Sequence, residues 1–470
     1  MKNTKRRMEL FFSYDRTGIQ THLQKMAAKG WMLEKMSNFS WHYRRIEPKA
    51  LTFAVTYFPK ASEFDPELTE GQRVYQDFTA HSGWQFVCRS AQMQVFCTEQ
   101  ENPVPIETDP MVEIEMIHGA AKKSHLLSHW LLLGVGLLNA LLFLSRLLGD
   151  PIGVLASPAN LFTGFAWSVM LLLCIVGLAG YYRWRRRALK AATHGEFTDT
   201  PNYAGFQKLM LCIVLVGFVW WILNLFAAGD RLLQTVALLM LLYMFGLFAI
   251  VNAVKQFLKK RKASRGTNLA ITLTVDVVLA FGMMAAIVFG TLRAVQSGIF
   301  APEAETYEHR GSTFVLYQDE IPLRVEDMLD VTYSGYICRK HSDESIFLGR
   351  YDMSQFPRFD DEAAHDVPGL DYTLTLVKAP FFYDLCRTRL IRERDETHDP
   401  DVPEGFKRVY LQEDPAPWGA EEAYRLAWQD TGPSNTYLLC YADRFVEISF
   451  DWEPTLEHMA TVGEKLGGIA

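Results

Sequence analysis

Five long apolar runs in the middle of the chain constrain its fold more than any other feature. They lie at residues 126–148, 160–182, 206–227, 232–254 and 269–292, and each contains 22–24 residues with almost no charge. About 20 apolar residues in a helix are enough to cross the hydrocarbon core of a bilayer. Buried helices of a large soluble protein would need a surrounding polar shell, which the short linkers between these runs do not provide. The sequence therefore predicts a membrane domain with five transmembrane helices.

The distribution of charge divides the 470-residue chain into three parts. Residues 1–110 carry 14 basic and 13 acidic side chains (net +1), residues 111–299 carry 17 and 7 (net +10), and residues 300–470 carry 16 and 34 (net −18). Such a division is typical of separate domains in different surroundings. We expect an α+β domain at 1–110, the membrane domain at 111–299 and an acidic α+β domain, mainly antiparallel, at 300–470.

Basic residues next to the apolar runs predict the orientation. Those at 122–123, 183–208 and 255–265 number 14 and share one side of the membrane, whereas the other side has three, Arg146, Arg231 and Arg293. Cytoplasmic loops of membrane proteins carry the excess of Lys and Arg, so the N-terminal domain is predicted to be cytoplasmic. An odd number of spans then places the C-terminal domain outside the cell membrane. Residues 1–16 lack the apolar core of a cleavable signal peptide.

Residues 8–99 contain two copies of one pattern, strand–helix–Gly-Trp–strand–strand. The first copy predicts strands at 8–14, 31–36 and 39–45 with a helix capped by Asp15, and the second predicts strands at 51–58, 84–88 and 94–98 with a helix that opens on the capping box Thr69–Gln72. The duplication predicts an α+β fold with helices on one face of an antiparallel sheet.

The two Gly-Trp pairs, Gly30-Trp31 and Gly83-Trp84, have a structural interpretation. Glycine adopts the left-handed conformation that ends a helix, and the Trp after it is expected to be buried under that helix. The alternative is that the two Trp rings stack on a ligand. Cys88 and Cys97 fall on adjacent strands of one hairpin. In a reducing cytosol we expect them to be packing residues, with a redox pair as the alternative.

Several of these residues also carry a family resemblance. Phe11-Phe12, the Met-Ala-Ala-Lys-Gly-Trp string at 26–31, the aromatic strand at 41–43 and Ser82-Gly83-Trp84 resemble the bacterial domain-of-unknown-function 2812 family over about residues 5–100. The resemblance implies a domain that precedes membrane spans. It also implies a gene often found beside PadR-like transcriptional regulators, and hence a regulatory role. It implies no catalytic residues.

Asp276 is the one acidic residue well inside an apolar run. A carboxyl group in a membrane is costly and is often functional, although it can also be a neutral acid that packs helices together. His129, at a similar depth in the first run, is its candidate partner if the two side chains face each other.

The acidic C-terminal part predicts a domain built mainly of antiparallel strands. Apolar segments recur at 313–317, 331–338, 345–351, 372–377, 437–441 and 445–450; the last two predict a tight hairpin, and 454–466 predicts an amphipathic helix. Asp360, Asp361, Glu362, His365 and Asp366 form its densest acidic cluster, for which a solvated loop is the ordinary explanation.

Two further groups of residues in this part leave alternatives open. The arginines at 387, 389, 392 and 394 predict the surface of a strand or of a helix. Cys338, Cys386 and Cys440 allow one disulfide by any of three pairings, or none.

The sequence contains no His-Glu-x-x-His, Gly-x-Ser-x-Gly, Walker A or Cys-x-x-Cys pattern. We therefore expect a non-enzymatic protein without cofactor or metal, namely a multi-pass membrane sensor or regulator that couples its exported domain to a cytoplasmic interaction domain. Its expected partners are the lipid bilayer, a cytoplasmic protein and an extracytoplasmic ligand. The net charge of −18 argues against nucleic acid as a partner of the exported domain. The alternative function is a non-signalling accessory or immunity protein for a transporter or a membrane-active peptide.

Overall fold

The computed structural model describes residues 3–37, 40–227, 229–300, 305–309, 312–358, 366–396, 402–403 and 406–468. The chain divides into two compact units. The first unit comprises Met1–Ala140 and Phe165–Ser297, and the second comprises Leu141–Gly164 and Gly298–Ala470. Each unit therefore contains membrane helix as well as a mixed α and β region.

The N-terminal region of the first unit contains two small antiparallel sheets of identical strand order. The first has β1 (Thr4–Arg7), α1 (Arg16–Ala28), β2 (Trp31–Met36) and β3 (Trp41–Arg45), and the second has β4 (Thr52–Tyr57), α2 (Glu70–His81), β5 (Gln85–Ser90) and β6 (Met93–Thr98). In each sheet the third strand lies in the middle, giving β1-β3-β2 and β4-β6-β5. The predicted duplication and the α+β class are confirmed.

One strand prediction is wrong in this region. Residues 8–14 form no strand, and β1 ends at Arg7. Phe12 and Tyr14 of this segment pack against membrane helices, whereas Phe11 packs on His22 and Trp41. Phe39, the predicted start of the third strand, lies outside the described residues, and β3 begins at Trp41.

The helices of the N-terminal region begin and end with the capping residues that the sequence predicts. The Asp15 carboxylate accepts a hydrogen bond from the Gly18 N–H at 2.8 Å at the start of α1. Thr69 and Gln72 form a reciprocal capping box at the start of α2. Gly30 and Gly83, just after the two helices, have φ values of +78° and +86°, which L-residues rarely adopt.

Five helices in the described part of the chain are long and apolar enough to cross a membrane, as predicted. They are Pro110–Gly149, Pro158–Ala192 (α6), Ala204–Ala227 (α7), Arg231–Lys260 (α8) and Arg265–Gln296 (α9). The first consists of α3 (Pro110–Ala121), a π-helical turn at Lys122–Leu126 and α4 (Leu127–Gly149). Few of their large apolar side chains are buried, as expected for helices that face lipid. The chain is therefore a multi-pass membrane protein.

The second unit is built on a seven-stranded antiparallel sheet. Its strands are β9 (Ile337–Glu344), β10 (Leu348–Phe356), β11 (Leu370–Val377), β12 (Arg408–Glu413), β13 (Glu422–Trp428), β14 (Gly432–Cys440) and β15 (Arg444–Phe450), in the order β12-β13-β14-β15-β11-β10-β9. A hairpin of β7 (Thr306–His309) and β8 (Ser312–Val315) precedes it. The predicted pairing of 437–441 with 445–450 is confirmed by β14 and β15.

Both faces of this sheet are covered. On one face α5 (Pro151–Ala156) and α10 (Tyr383–Glu393) bury Phe445 and Leu438. On the other face α11 (Leu456–Leu466) packs Val462 against residues that include Ile448. The arginines at 387, 389 and 392 thus belong to a helix, and Arg394 follows its end.

The cysteines form no disulfide, and all seven lie in the described residues. Cys338, Cys386 and Cys440 are buried and free, and burial raises the pKa of Cys386 and of Cys440 to about 12. Cys88 and Cys97 are likewise buried and free, as expected for packing residues. In the acidic cluster, Asp360, Asp361, Glu362 and His365 lie outside the described residues, whereas Asp366 is described with φ +70°.

Candidate functional site

A cavity of about 690 Å³ lies in the first unit where the segment after β1 meets three membrane helices. We call it the His125 pocket and define it by its lining, which is Met8–Ser13 together with Ser124, His125, Ser128, His129, Leu132, Met170, Leu173, Cys174, Gln207, Met210, Leu211 and Val214. Its walls are mainly apolar, with a few polar groups among them. This composition is typical of pockets for small molecules.

Phe12 is the aromatic residue that joins the N-terminal segment to the membrane helices. Its ring packs edge-on against His125 (5.1 Å between centroids) and His129 (5.6 Å), and is stacked on Tyr14 (5.7 Å). It is 6% exposed. The contact is close because Gly177 on α6 has no side chain: a Cβ there would lie 3.0 Å from Phe12.

The two histidines stand at the π-helical turn of the first membrane helix. Their ring centroids are 3.8 Å apart, and His129 Nδ1 lies 2.8 Å from the His125 carbonyl oxygen. Tyr14 donates a hydrogen bond to the Gly177 carbonyl oxygen at 3.3 Å. π-Helical turns are frequent at functional sites because they displace side chains from the regular helical positions.

Glu9 is a buried carboxylate at the edge of the same pocket. Its side chain is fully buried, and two cations and an imidazole face it: Arg7 Nε at 3.0 Å, Lys208 Nζ at 3.8 Å and His22 Nε2 at 3.2 Å. Burial lowers the pKa of His22, and Glu9 opposes this shift. Because Lys208 belongs to α7, this cluster links the N-terminal segment electrostatically to a third membrane helix.

Hydrogen bonds join the start of α1 to the loop between α6 and α7. Thr17 and Thr200 exchange two hydrogen bonds, from the Thr17 N–H (2.9 Å) and from the Thr200 N–H (3.1 Å). Thr200 also donates to Asp15 at 3.2 Å. Burial raises the pKa of Asp15 to about 6, against the lowering effect of its hydrogen bonds from Gly18 and Thr200.

The structure places the predicted site residues as follows. His129 lines the His125 pocket, whereas Asp276 lies half-buried on α9. Within the described part of the chain, no hydrogen bond or ion pair is found for Asp276, and none joins it to His129. Trp84 is buried and donates to the Val104 carbonyl oxygen at 2.9 Å. Trp31 differs from expectation: it is half-buried between Lys5 and Arg45, which lie 5.2 and 5.0 Å from its ring centroid.

The sequence interpretation did not identify Glu9, Phe12 or His125 as residues of a site, and Phe12 was noted only for the family resemblance. The signal that could have pointed to the pocket is the spacing of His125 and His129, which puts two imidazoles on one face at the start of the first apolar run. Glu9 carried no such signal, because its partners come from β1, α1 and α7 and meet only in the folded chain.

Residues 16–129 match the model of a family described as a protein of unknown function (DUF2812). The match covers the duplicated N-terminal region from the start of α1, without β1, and reaches His129, so it ends inside the first membrane helix. It confirms the resemblance drawn from the Gly-Trp motifs. Comparisons with curated proteins and with solved structures gave no significant match.

Proposed function

We propose that this protein is a membrane-embedded regulator in which α4 and α6 carry a conformational change between its two units. The role is non-catalytic: the exported domain of the second unit senses a ligand, and the N-terminal domain acts on a cytoplasmic protein, for which a PadR-like regulator is our candidate. The excess of basic residues beside the spans favours this orientation.

The observation that carries the proposal is that the same two helices are built into two separate cores. In the first unit, the α6 residues Leu178 and Trp184 are buried with the N-terminal sheets, and Leu133 of α4 packs against the same core. In the second unit, Leu147 at the end of α4 and Leu161 near the start of α6 pack against the core that contains α5 and α10. A shift of either helix therefore changes contacts in both cores.

Coupling of this kind requires a two-state element whose equilibrium both ends bias. The contact of Phe12 with Gly177, His125 and His129 is our candidate for that element in the first unit. It consists of one ring held by α4 and α6 together, so relative movement of these helices opens or closes it. The cavity beside it provides room for the ring to move.

A substitution in the second unit tests the proposal. The buried Ser345 hydroxyl donates to the Leu155 carbonyl oxygen of α5 at 2.5 Å and accepts from the Phe347 and Leu348 N–H groups, and Ser345→Ala removes these bonds. Losing a buried hydrogen bond costs about 1–3 kcal/mol. We expect hydrogen exchange at residues 8–14 of the first unit to become faster in the intact protein.

The control is Ser434→Ala in the same sheet. Ser434 on β14 donates an equivalent bond to the Leu426 carbonyl oxygen at 2.8 Å, and β14 stands three strands away from β10, the strand that α5 contacts. Faster exchange at 8–14 in Ser345→Ala and not in Ser434→Ala supports coupling. Unchanged exchange in both variants, with the second unit demonstrably loosened by Ser345→Ala, contradicts it.

A further inference from the structure

A second cavity, of about 290 Å³, lies entirely within the second unit. We infer that it binds a small organic cation carrying a primary ammonium group. The inference deepens the proposed function, because it supplies the ligand class of the sensing domain, but the binding site itself does not depend on coupling to the first unit.

The floor of the cavity is the polar part of the sheet face that α5 and α10 leave uncovered. Three cross-strand pairs lie there side by side: Arg350 with Thr375, Thr373 with Glu447, and Asp371 with Ser449. The walls are Glu393 and Arg394 at the end of α10, and Asp150 and Ile152 around the start of α5. These strands and helices are held by the apolar core that surrounds Leu438 and Phe445.

The charge of the lining favours a cation. Four carboxylates (Asp150, Asp371, Glu393 and Glu447) and two guanidinium groups (Arg350 and Arg394) line the cavity, a net charge of −2. Both guanidinium groups already have carboxylate partners: Arg350 Nε lies 3.2 Å from Asp352, and Arg394 Nε lies 3.9 Å from Glu447. They are therefore poorly placed to attract an anion.

Asp371 is the carboxylate that the protein leaves without a partner. Over the described ranges, its side chain makes no hydrogen bond and no ion pair. Asp371 is an exposed residue of β11 that lines the cavity; its partial burial, and then the nearby Asp451 carboxylate, raise its pKa and so destabilise its charged form. A bound cation would relieve that destabilisation, because an opposite charge at short range favours the ionised carboxylate.

Thr375 gives an independent indication of a ligand with hydrogen-bond donors. The residue is 2% exposed, lines the cavity and has no hydrogen bond from its hydroxyl to any residue in the described part of the chain. Because this hydroxyl is not fully enclosed by protein atoms, it opens onto the cavity, where a ligand can reach it. An ammonium group, with three N–H donors, can satisfy both the Thr375 hydroxyl oxygen and the Asp371 carboxylate.

A metal ion fits the cavity less well than an amine. No group of three or more His, Cys, Asp or Glu side chains with metal-binding geometry occurs among the described residues. Ca²⁺ takes six to eight oxygen ligands, which a lining with two paired arginines does not offer. The size of the cavity suits a molecule of a few heavy atoms rather than a folded partner.

The position of Asp150 connects such a ligand to the membrane helices. Asp150 is the residue immediately after α4, which ends at Gly149, and its carboxylate caps α5 by accepting from the Gly153 N–H at 2.9 Å. It also lines the cavity. A cation bound there lies against the end of α4, at the junction that the proposed coupling uses.

The test is isothermal titration calorimetry on the intact protein in nanodiscs, with 1,5-diaminopentane as the probe. Its neutral isostere 1,5-pentanediol and CaCl₂ serve as comparison ligands. We expect saturable binding of the diamine alone, weakened by raising the ionic strength. Asp371→Asn should weaken binding at least tenfold, and Thr375→Val several-fold. Glu464→Gln, an exposed acid on α11 outside the cavity lining, should leave binding unchanged.

Three results would overturn the inference: no binding of the diamine, equal binding of the diol, or equal binding in Asp371→Asn with the thermal unfolding of that variant unchanged. Preferential binding of Ca²⁺ would indicate a metal site rather than an amine site, and would also overturn the inference. If the diamine binds at Asp371 but hydrogen exchange at residues 8–14 does not respond, the binding site stands and the proposed coupling fails.

Discussion

Replacing Gly177 by Ala should loosen the contact between the N-terminal segment and the membrane helices. The new Cβ would lie 3.0 Å from Phe12 Cζ and 3.2 Å from His129 Cδ2, closer than carbon atoms normally approach. Overpacking a buried site by one methyl group costs about 1–3 kcal/mol. Because 1.4 kcal/mol corresponds to a factor of ten in an equilibrium constant, the local opening equilibrium of residues 8–14 should increase about 5- to 150-fold.

Hydrogen exchange followed by mass spectrometry on the protein in nanodiscs measures this opening at residues 8–14. Gly134→Ala on α4 is the matched control, because a Cβ at Gly134 meets no atom within 4 Å. It accounts for the gain in helix propensity that both substitutions share, about 1 kcal/mol. In a Phe12→Leu background the ring is gone, and Gly177→Ala should then cost much less. Equal exchange in Gly177→Ala and Gly134→Ala would refute the packing argument.

Three further predictions concern other parts of the molecule. Since the pKa of Asp15 is raised from 3.8 to about 6, the folded state binds more protons between about pH 4 and 6, and the stability of the first unit should fall as pH rises through that window. Asp15→Asn keeps a capping oxygen and should reduce this pH dependence of thermal unfolding by up to about 3 kcal/mol. An unchanged pH dependence in the variant would assign the effect to another group. Cys386 and Cys440, buried and with pKa values of about 12, should resist a maleimide at pH 8 in the native protein and react after denaturation in SDS; mass spectrometry that finds a disulfide between any of Cys338, Cys386 and Cys440 would contradict the structure. A reporter fused at Ala470 should be active outside the cytoplasm, and a cytoplasmic signal would reverse the proposed orientation.

Local signals predicted most of the architecture. The five apolar runs gave the membrane helices because length and composition alone determine whether a helix can cross a bilayer. Gly30 and Gly83, the Thr69 capping box and the closing helix α11 also depend on residues within a few positions of each other. Such features are visible in a sequence because their energetics are local.

The features that sequence reasoning missed depend on tertiary contacts. Residues 8–14 alternate well enough for a strand, but Phe12 and Tyr14 are buried by His125 and Gly177, which lie over 100 positions away. Strands β12 and β13 were not predicted. Asp276 and His129 can be partners only if their side chains face each other, and nothing in the sequence determines which helix faces the two residues occupy.

The central claim is that α4 and α6 transmit a change between two cores, and it predicts energetic coupling between a residue of one unit and a residue of the other. Substitutions more than 7–10 Å apart without shared partners normally have additive effects, within about 0.3–0.5 kcal/mol. Ser345 bonds α5 in the second unit, and Gly177 packs on Phe12 in the first, with no partner in common.

A double-mutant cycle of Ser345→Ala and Gly177→Ala tests this claim most directly. The measured quantity is the opening free energy of residues 8–14 from hydrogen exchange in the wild type, the two single variants and the double variant. Coupling through α4 and α6 predicts an interaction energy above about 0.5 kcal/mol, which the control cycle of Ser434→Ala with Gly177→Ala should lack. Additive effects in both cycles would contradict the account.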